Sequence, residues 1–90
     1  MKIKEIQHEP LRYWASSSTR NMTYVVDLSE NEGNGSCSCA DFITRRNQAI
    51  QQGEELFTRK TSCKHLLAVR KHFLKTTLRE MARIINKGGR

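Results

Sequence analysis

Cys37, Cys39, Cys63 and His65 supply three thiols and an imidazole as two pairs, C-x-C and C-x-H, separated by twenty-three residues. Donors of this softness and number match zinc, which binds thiolate sulfur at about 2.3 Å and imidazole nitrogen at about 2.0–2.1 Å in a tetrahedron. Four protein donors leave no coordination position for water or substrate, so the expected role is structural and not catalytic, with one zinc per chain. The one-residue spacing of the first pair needs a sharp bend to bring two sulfurs to roughly 4 Å, the edge of such a tetrahedron. Gly33, Gly35, Ser36 and Ser38 allow that bend.

Other uses of these side chains fit less well. Three cysteines leave one over in any disulfide scheme, and a bridge within Cys37-Ser38-Cys39 closes a ring too small for the torsion near ±90° that disulfides prefer. His72 stands seven residues beyond His65; on a helix that is about 10 Å along the axis, too far to share one metal. His8 and His72 are therefore read as bystanders.

The elements that must present the ligands can be placed coarsely. Residues 12–18 and 23–30 read as two strands, with Tyr24, Val26 and Leu28 alternating along one face of the second and Thr19 to Met22 as the turn between them. Residues 1–10 carry only Ile3 and Ile6 in a charged background, with Pro10 ending whatever they form. Asp41 is an expected N-cap for a short helix over 42–51, stopped by Gly53, and residues 54–62 read as loop. From Lys64 the period becomes helical, reaching to about Asn86. Leu67, Leu74, Leu78, Met81 and Ile85 form an apolar stripe, Leu66, Val69 and Phe73 extend it near the ligands, and Thr76-Thr77 marks a place for a bend. The fold class expected is α+β: a small zinc-stapled β-hairpin followed by a long C-terminal helix. Its parts are an N-terminal segment over 1–11, the zinc-binding domain over 12–73, and a basic amphipathic extension and tail over 74–90.

With these residues in view the chain resembles the SWIM zinc-finger family, whose pattern is C-x-C, a variable interval, then C-x-H at the head of a helix. Thr23-Tyr24-Val25-Val26-Asp27-Leu28 is similar to the strand before the first pair, Phe42 to the aromatic three residues after the second cysteine, and Cys63 to Val69 to the closing segment. The resemblance covers about residues 12–73; Ser62 stands where a proline is frequent, and the interval between pairs is long for the family. It implies a module that binds DNA or protein, here free-standing, since no transposase or helicase domain accompanies it.

Charge is the second informative feature. Residues 59–90 hold ten Lys or Arg against Glu80 alone, whereas residues 1–58 hold six basic and eight acidic side chains, so the net +7 originates near the C-terminus. Lys71, Lys75, Arg79, Arg83 and Lys87 recur every fourth residue, a ribbon drifting about 40° per step around a helix, and Lys64 and Arg70 add to it. A solvated helix face usually mixes signs, because like charges at i,i+4 cost a few tenths of a kcal/mol. An unmixed face points to an anionic partner, and nucleic acid is the expected one, held by its phosphates without sequence readout. The alternative is a protein adaptor with no nucleic-acid contact. Within it the stripe, longer than a hairpin can cover, is either roofed by residues 1–11 or pairs with a second copy through Leu74, Leu78, Met81 and Ile85.

Trp14, with Tyr13 and Arg12, offers either core filling or a stacking platform for bases, and the core reading is preferred in so small a domain. No paired carboxylates, activated nucleophile or glycine-rich phosphate loop appears, so no enzyme is expected. No membrane-spanning run and no apolar signal segment is present, and the thiols need a reducing compartment. The expectation is cytoplasm, or nucleus in a eukaryote, and not secretion.

Overall fold

The computed structural model describes residues 1–17 and 21–88, with side chains through residue 84. Four strands, β1 (Lys2–Ile6), β2 (Glu9–Ser16), β3 (Thr23–Asp27) and β4 (Ser36–Cys37), form one antiparallel sheet in the order β1-β2-β3-β4. The expected hairpin is therefore the middle of a four-stranded meander. Its strands are shorter than the residues 12–18 and 23–30 anticipated. β3 stops at Asp27, whose carboxylate accepts the Ser29 N–H at 2.8 Å and turns the chain. Of the expected turn, Thr19 and Arg20 lie outside the described residues, and the Ser17 N–H to Met22 carbonyl bond at 2.8 Å closes the hairpin around them.

Residues 1–11 are part of the sheet and not a separate segment, a correction with a local cause. Lys2 pairs with Ser16, Lys4 with Trp14 and Glu5 with Tyr13, after which the register shifts before Ile6 meets Glu9. Pro10, which lacks an N–H, sits in that irregularity, where no ladder bond is demanded of it. A proline read as a strand breaker is thus accommodated inside β2.

Alternation along β2 sends Tyr13 and Ala15 inward, at 3% and 0% exposure, while Trp14 faces solvent at 41%. The core expectation for Trp14 is overturned, and Tyr13 takes its place beside Val26, Phe42, Leu66 and Val69. A period of two specifies that neighbours point to opposite faces, not which face is covered.

The first helical segment runs as a π-type turn over Phe42–Arg46 into α1 (Asn47–Gln51). It ends in a left-handed cap at Gly53 (φ 85°), where the Gly53 N–H reaches the Ile50 carbonyl and the Glu54 N–H reaches Ala49. Asp41 is not the N-cap. It already has helical angles and no side-chain capping bond, and its carboxylate accepts from Arg46 Nε at 3.0 Å.

The second helix, α2 (Lys64–Gly88), is one helix of 25 residues running through Thr76-Thr77, about 37 Å long at 1.5 Å per residue. Leu66 and Val69 are fully buried against the sheet and Phe73 packs partly on it. Leu74, Leu78 and Met81 are 53%, 63% and 52% exposed. At 100° per residue these two rows lie roughly 120° apart around the axis. The stripe is therefore a second apolar face, and not the overhang of the one that meets the core. Residues 1–11 do not roof it, because β1 is engaged at the far side of β2. The side chain of Ile85 lies outside the described residues. Among the described residues no helix is long and apolar enough to cross a membrane.

Candidate metal centre

Both ligand pairs are built the same way, each with a cysteine at a helix start. Cys37 is the last residue of β4, opposite Val26. The chain leaves the sheet at Ser38, whose hydroxyl accepts the Val25 N–H at 3.0 Å while its own N–H reaches the Val25 carbonyl at 3.0 Å. That exchange replaces the next rung of the ladder and makes the C-x-C bend. Gly35 makes the approach possible: its φ is 95°, and a Cβ there would lie 2.6 Å from Leu66 Cδ1 and 3.0 Å from the Asp27 carbonyl oxygen. A side chain there requires the Leu66 side chain or the Asp27 backbone to shift, on top of a backbone that favours glycine.

Cys39 then occupies the capping position that Asp41 was expected to fill. Its carbonyl accepts the Ile43 N–H at 3.1 Å and its sulfur accepts the Phe42 N–H at 3.4 Å. Cys63 repeats the arrangement at the head of α2, its carbonyl accepting from Leu67 at 3.0 Å and its sulfur from Leu66 at 3.4 Å. Each sulfur thus meets an N–H at the positive end of a helix, where a thiolate is stabilised.

His65, in the first turn of α2, completes the set. Its Nδ1 lies 3.8 Å from Cys37 Sγ and 4.0 Å from Cys63 Sγ, and its ring packs on Tyr24 with centroids 4.6 Å apart. The donor atoms of Cys37, Cys39, Cys63 and His65 all lie within 4.8 Å of one another, and all four residues are buried. A tetrahedron with bonds of about 2.0–2.3 Å has edges of about 3.3–3.8 Å, so the four donors are gathered slightly wider than an ion would hold them. The residues fit a metal, and Nδ1 is the nitrogen that faces it. Nε2 is buried with no hydrogen-bond partner among the described residues, and the Tyr24 ring packs against the imidazole. His72 packs edge-on against Tyr13 at 5.9 Å and is no part of the group; His8 forms the β1–β2 turn with φ 68°.

The three thiols share their protons unevenly. A hydrogen bond from Cys37 pulls Cys63 down to about 5. The same bond holds the Cys37 proton in place and raises that thiol, and burial raises Cys39. A divalent cation relieves this crowding by offsetting two of the three negative charges that the deprotonated sulfurs carry.

A polar hub that sequence reasoning missed holds the two pairs together. Asn34 is fully buried. Its Nδ2 donates to the Thr61 carbonyl at 2.9 Å, and its Oδ1 accepts from the Phe57 N–H at 2.7 Å and from Thr61 Oγ1 at 3.2 Å. Arg70 donates to the Asn34 carbonyl at 2.7 Å and to Ser62 Oγ at 3.1 Å, with its guanidinium over the Phe57 ring at 5.3 Å. Arg46 Nη1 ties the loop from the other side, donating to the Arg59 carbonyl at 2.7 Å. Residues 54–62 are a loop as expected, but one laced to α2 and to the approach of β4. A lone asparagine in a Gly-rich turn carries no sequence signal of such a role.

The basic residues divide accordingly. Arg70 points into the hub. Lys64, Lys71, Lys75, Arg79 and Arg83 are exposed and form no ion pair among the described residues, where the pairs are Arg12 with Glu9 and Asp27, Arg46 with Asp41, and Lys60 with Glu54. The Lys87 side chain lies outside the described residues. A cleft of about 560 Å³ opens beside the centre, lined by Cys39, Cys63 and His65 together with Asp41, Arg45, Arg46 and Lys64. The chain matches no protein-family model, no curated protein and no solved structure.

Proposed function

We propose that this chain is a SWIM-like module in which one structural zinc, held by Cys37, Cys39, Cys63 and His65, staples the sheet to α2 so that the helix presents a basic face to nucleic-acid phosphates. The donor set supports zinc: three sulfurs and one nitrogen, all four supplied by buried residues, is the composition of closed structural sites. The role of such a centre is to build structure, and the reading includes no reaction.

The observation that carries the nucleic-acid reading is the row Lys71, Lys75, Arg79 and Arg83, exposed along successive turns of α2 and unpaired among the described residues. Each phosphate neutralised by such a row releases condensed counterion, which favours binding to any sequence. Titration of wild type and the Lys75→Glu, Arg79→Glu double variant against unrelated duplexes at two salt concentrations tests it. Log affinity is expected to fall linearly with log salt, about 0.9 per neutralised phosphate, and the double variant to bind all sequences more weakly. Equal and weak binding by both proteins refutes it.

A second reading rests on a different observation. Leu74, Leu78 and Met81 are each more than half exposed, an apolar row beside the basic one that favours a protein partner or a second copy of this chain. In that adaptor reading the charge reversals abolish one protein partner and leave only weak nucleic-acid binding at physiological salt.

A further inference from the structure

The sheet has α2 on one face, and its other face holds the only tryptophan of the chain. Trp14 is 41% exposed there. Its neighbours across the ladder are Lys4 on β1 and Val25 on β3. Directly opposed residues share a face with Cβ atoms about 4.5–5.5 Å apart, so Lys4 stands beside the indole. Lys2, two residues away on β1 and paired with Ser16, points to the same side in the next row. Both lysines are exposed and neither makes an ion pair among the described residues. Arg12 shares the face, its charge already met by Glu9 and Asp27.

An indole flanked by two unpaired ammonium groups on an open sheet combines the two contacts that an unpaired nucleic-acid strand needs. Base stacking on an aromatic is tolerant of sequence because every base has a π-face, and the adjacent cations take the phosphates. A duplex cannot use the indole in this way, since its bases are already stacked on one another. We propose that the outer face of the sheet, centred on Trp14 with Lys2 and Lys4, binds single-stranded nucleic acid by stacking one base on the indole. This inference rests on the nucleic-acid reading above and names a second contact surface, on the side of the sheet away from α2, that selects unpaired strands.

Because Trp14 is the sole tryptophan, its emission reports this face alone. Fluorescein-labelled oligo(dT) and a duplex of matched length are titrated with the zinc-loaded protein, and anisotropy is followed in parallel with tryptophan emission. The single strand is expected to quench the emission saturably over the concentrations at which anisotropy rises. Trp14→Ala is expected to weaken single-strand binding roughly tenfold, leave duplex binding unchanged, and be partly rescued by Trp14→Phe, which keeps a stacking ring. Anisotropy that rises without quenching, together with wild-type single-strand affinity in Trp14→Ala, overturns the inference and leaves the helix reading standing. Binding of neither strand form overturns both.

Discussion

The Asn34 side chain bonds to the Thr61 backbone at 2.9 Å across twenty-seven residues of sequence. Asn34 precedes Cys37 by three residues and Thr61 precedes Cys63 by two, so this one contact sets how far apart the two halves of the metal centre lie. Asn34→Ala strands the Thr61 carbonyl in a buried site and the Phe57 N–H in a part-buried one. At about 1–3 kcal/mol for each orphaned group, the zinc-loaded protein should lose about 2–6 kcal/mol. Urea unfolding of both proteins measures it; a loss below 1 kcal/mol would show that water or a rearranged loop takes the place of the amide.

Elemental analysis of purified protein should find one zinc per chain. The site and the fold are coupled, so Cys63→Ser should remove both metal retention and cooperative unfolding, the apparent binding free energy of such sites being about 10–16 kcal/mol. Chelator titration followed by circular dichroism gives the same answer on the unaltered chain. A metal-free protein that still unfolds cooperatively would separate the centre from the fold.

Two glycines with similar backbones should respond differently to alanine. At Gly35 the added carbon meets Leu66 Cδ1 at 2.6 Å as well as a positive φ, and the combined strain and overpacking should cost about 2–4 kcal/mol. At Gly53 nothing lies within 4 Å, and only the left-handed backbone remains, about 1–2 kcal/mol. Thermal unfolding of the pair checks the order. Equal losses would mean that Leu66 moves aside at little cost and that the approach of β4 to α2 is looser than described.

Leu78, 63% exposed, decides between the two readings of the apolar row. If a second copy covers it, sedimentation at micromolar concentration should show a dimer that Leu78→Asp splits, since a buried unpaired carboxylate is costly. A monomer throughout, with Leu78→Asp as stable as wild type, leaves the row free for a different protein partner.

The four metal donors, the start of α2 at Lys64, the helical segment over 42–51 and the central hairpin were legible because each rests on local information: ligand spacing, a change of period, a helix stop at Gly53. The strand β1 was not, since a short charged segment forms a strand only when an edge is there to pair with, and the register around Pro10 depends on β2. The inward choice of Tyr13 over Trp14 was equally hidden. Alternation requires only that the two oppose each other, and the packing of Leu66 and Val69 from α2 settles which side becomes interior. On α2 itself, Leu67-Leu74-Leu78-Met81 and Leu66-Val69-Phe73 both satisfy helical spacing, and the longer row was the stronger pattern. The closed fold decides between them: His65 Nδ1 and Cys63 Sγ are gathered with the sulfurs of Cys37 and Cys39, and that rotation of the first turn has the shorter row against the sheet. Asn34 carries the same lesson at the level of one side chain: its partners at Phe57, Thr61 and Arg70 lie 23 to 36 residues away, and only the closed fold brings their backbone groups within reach of one amide.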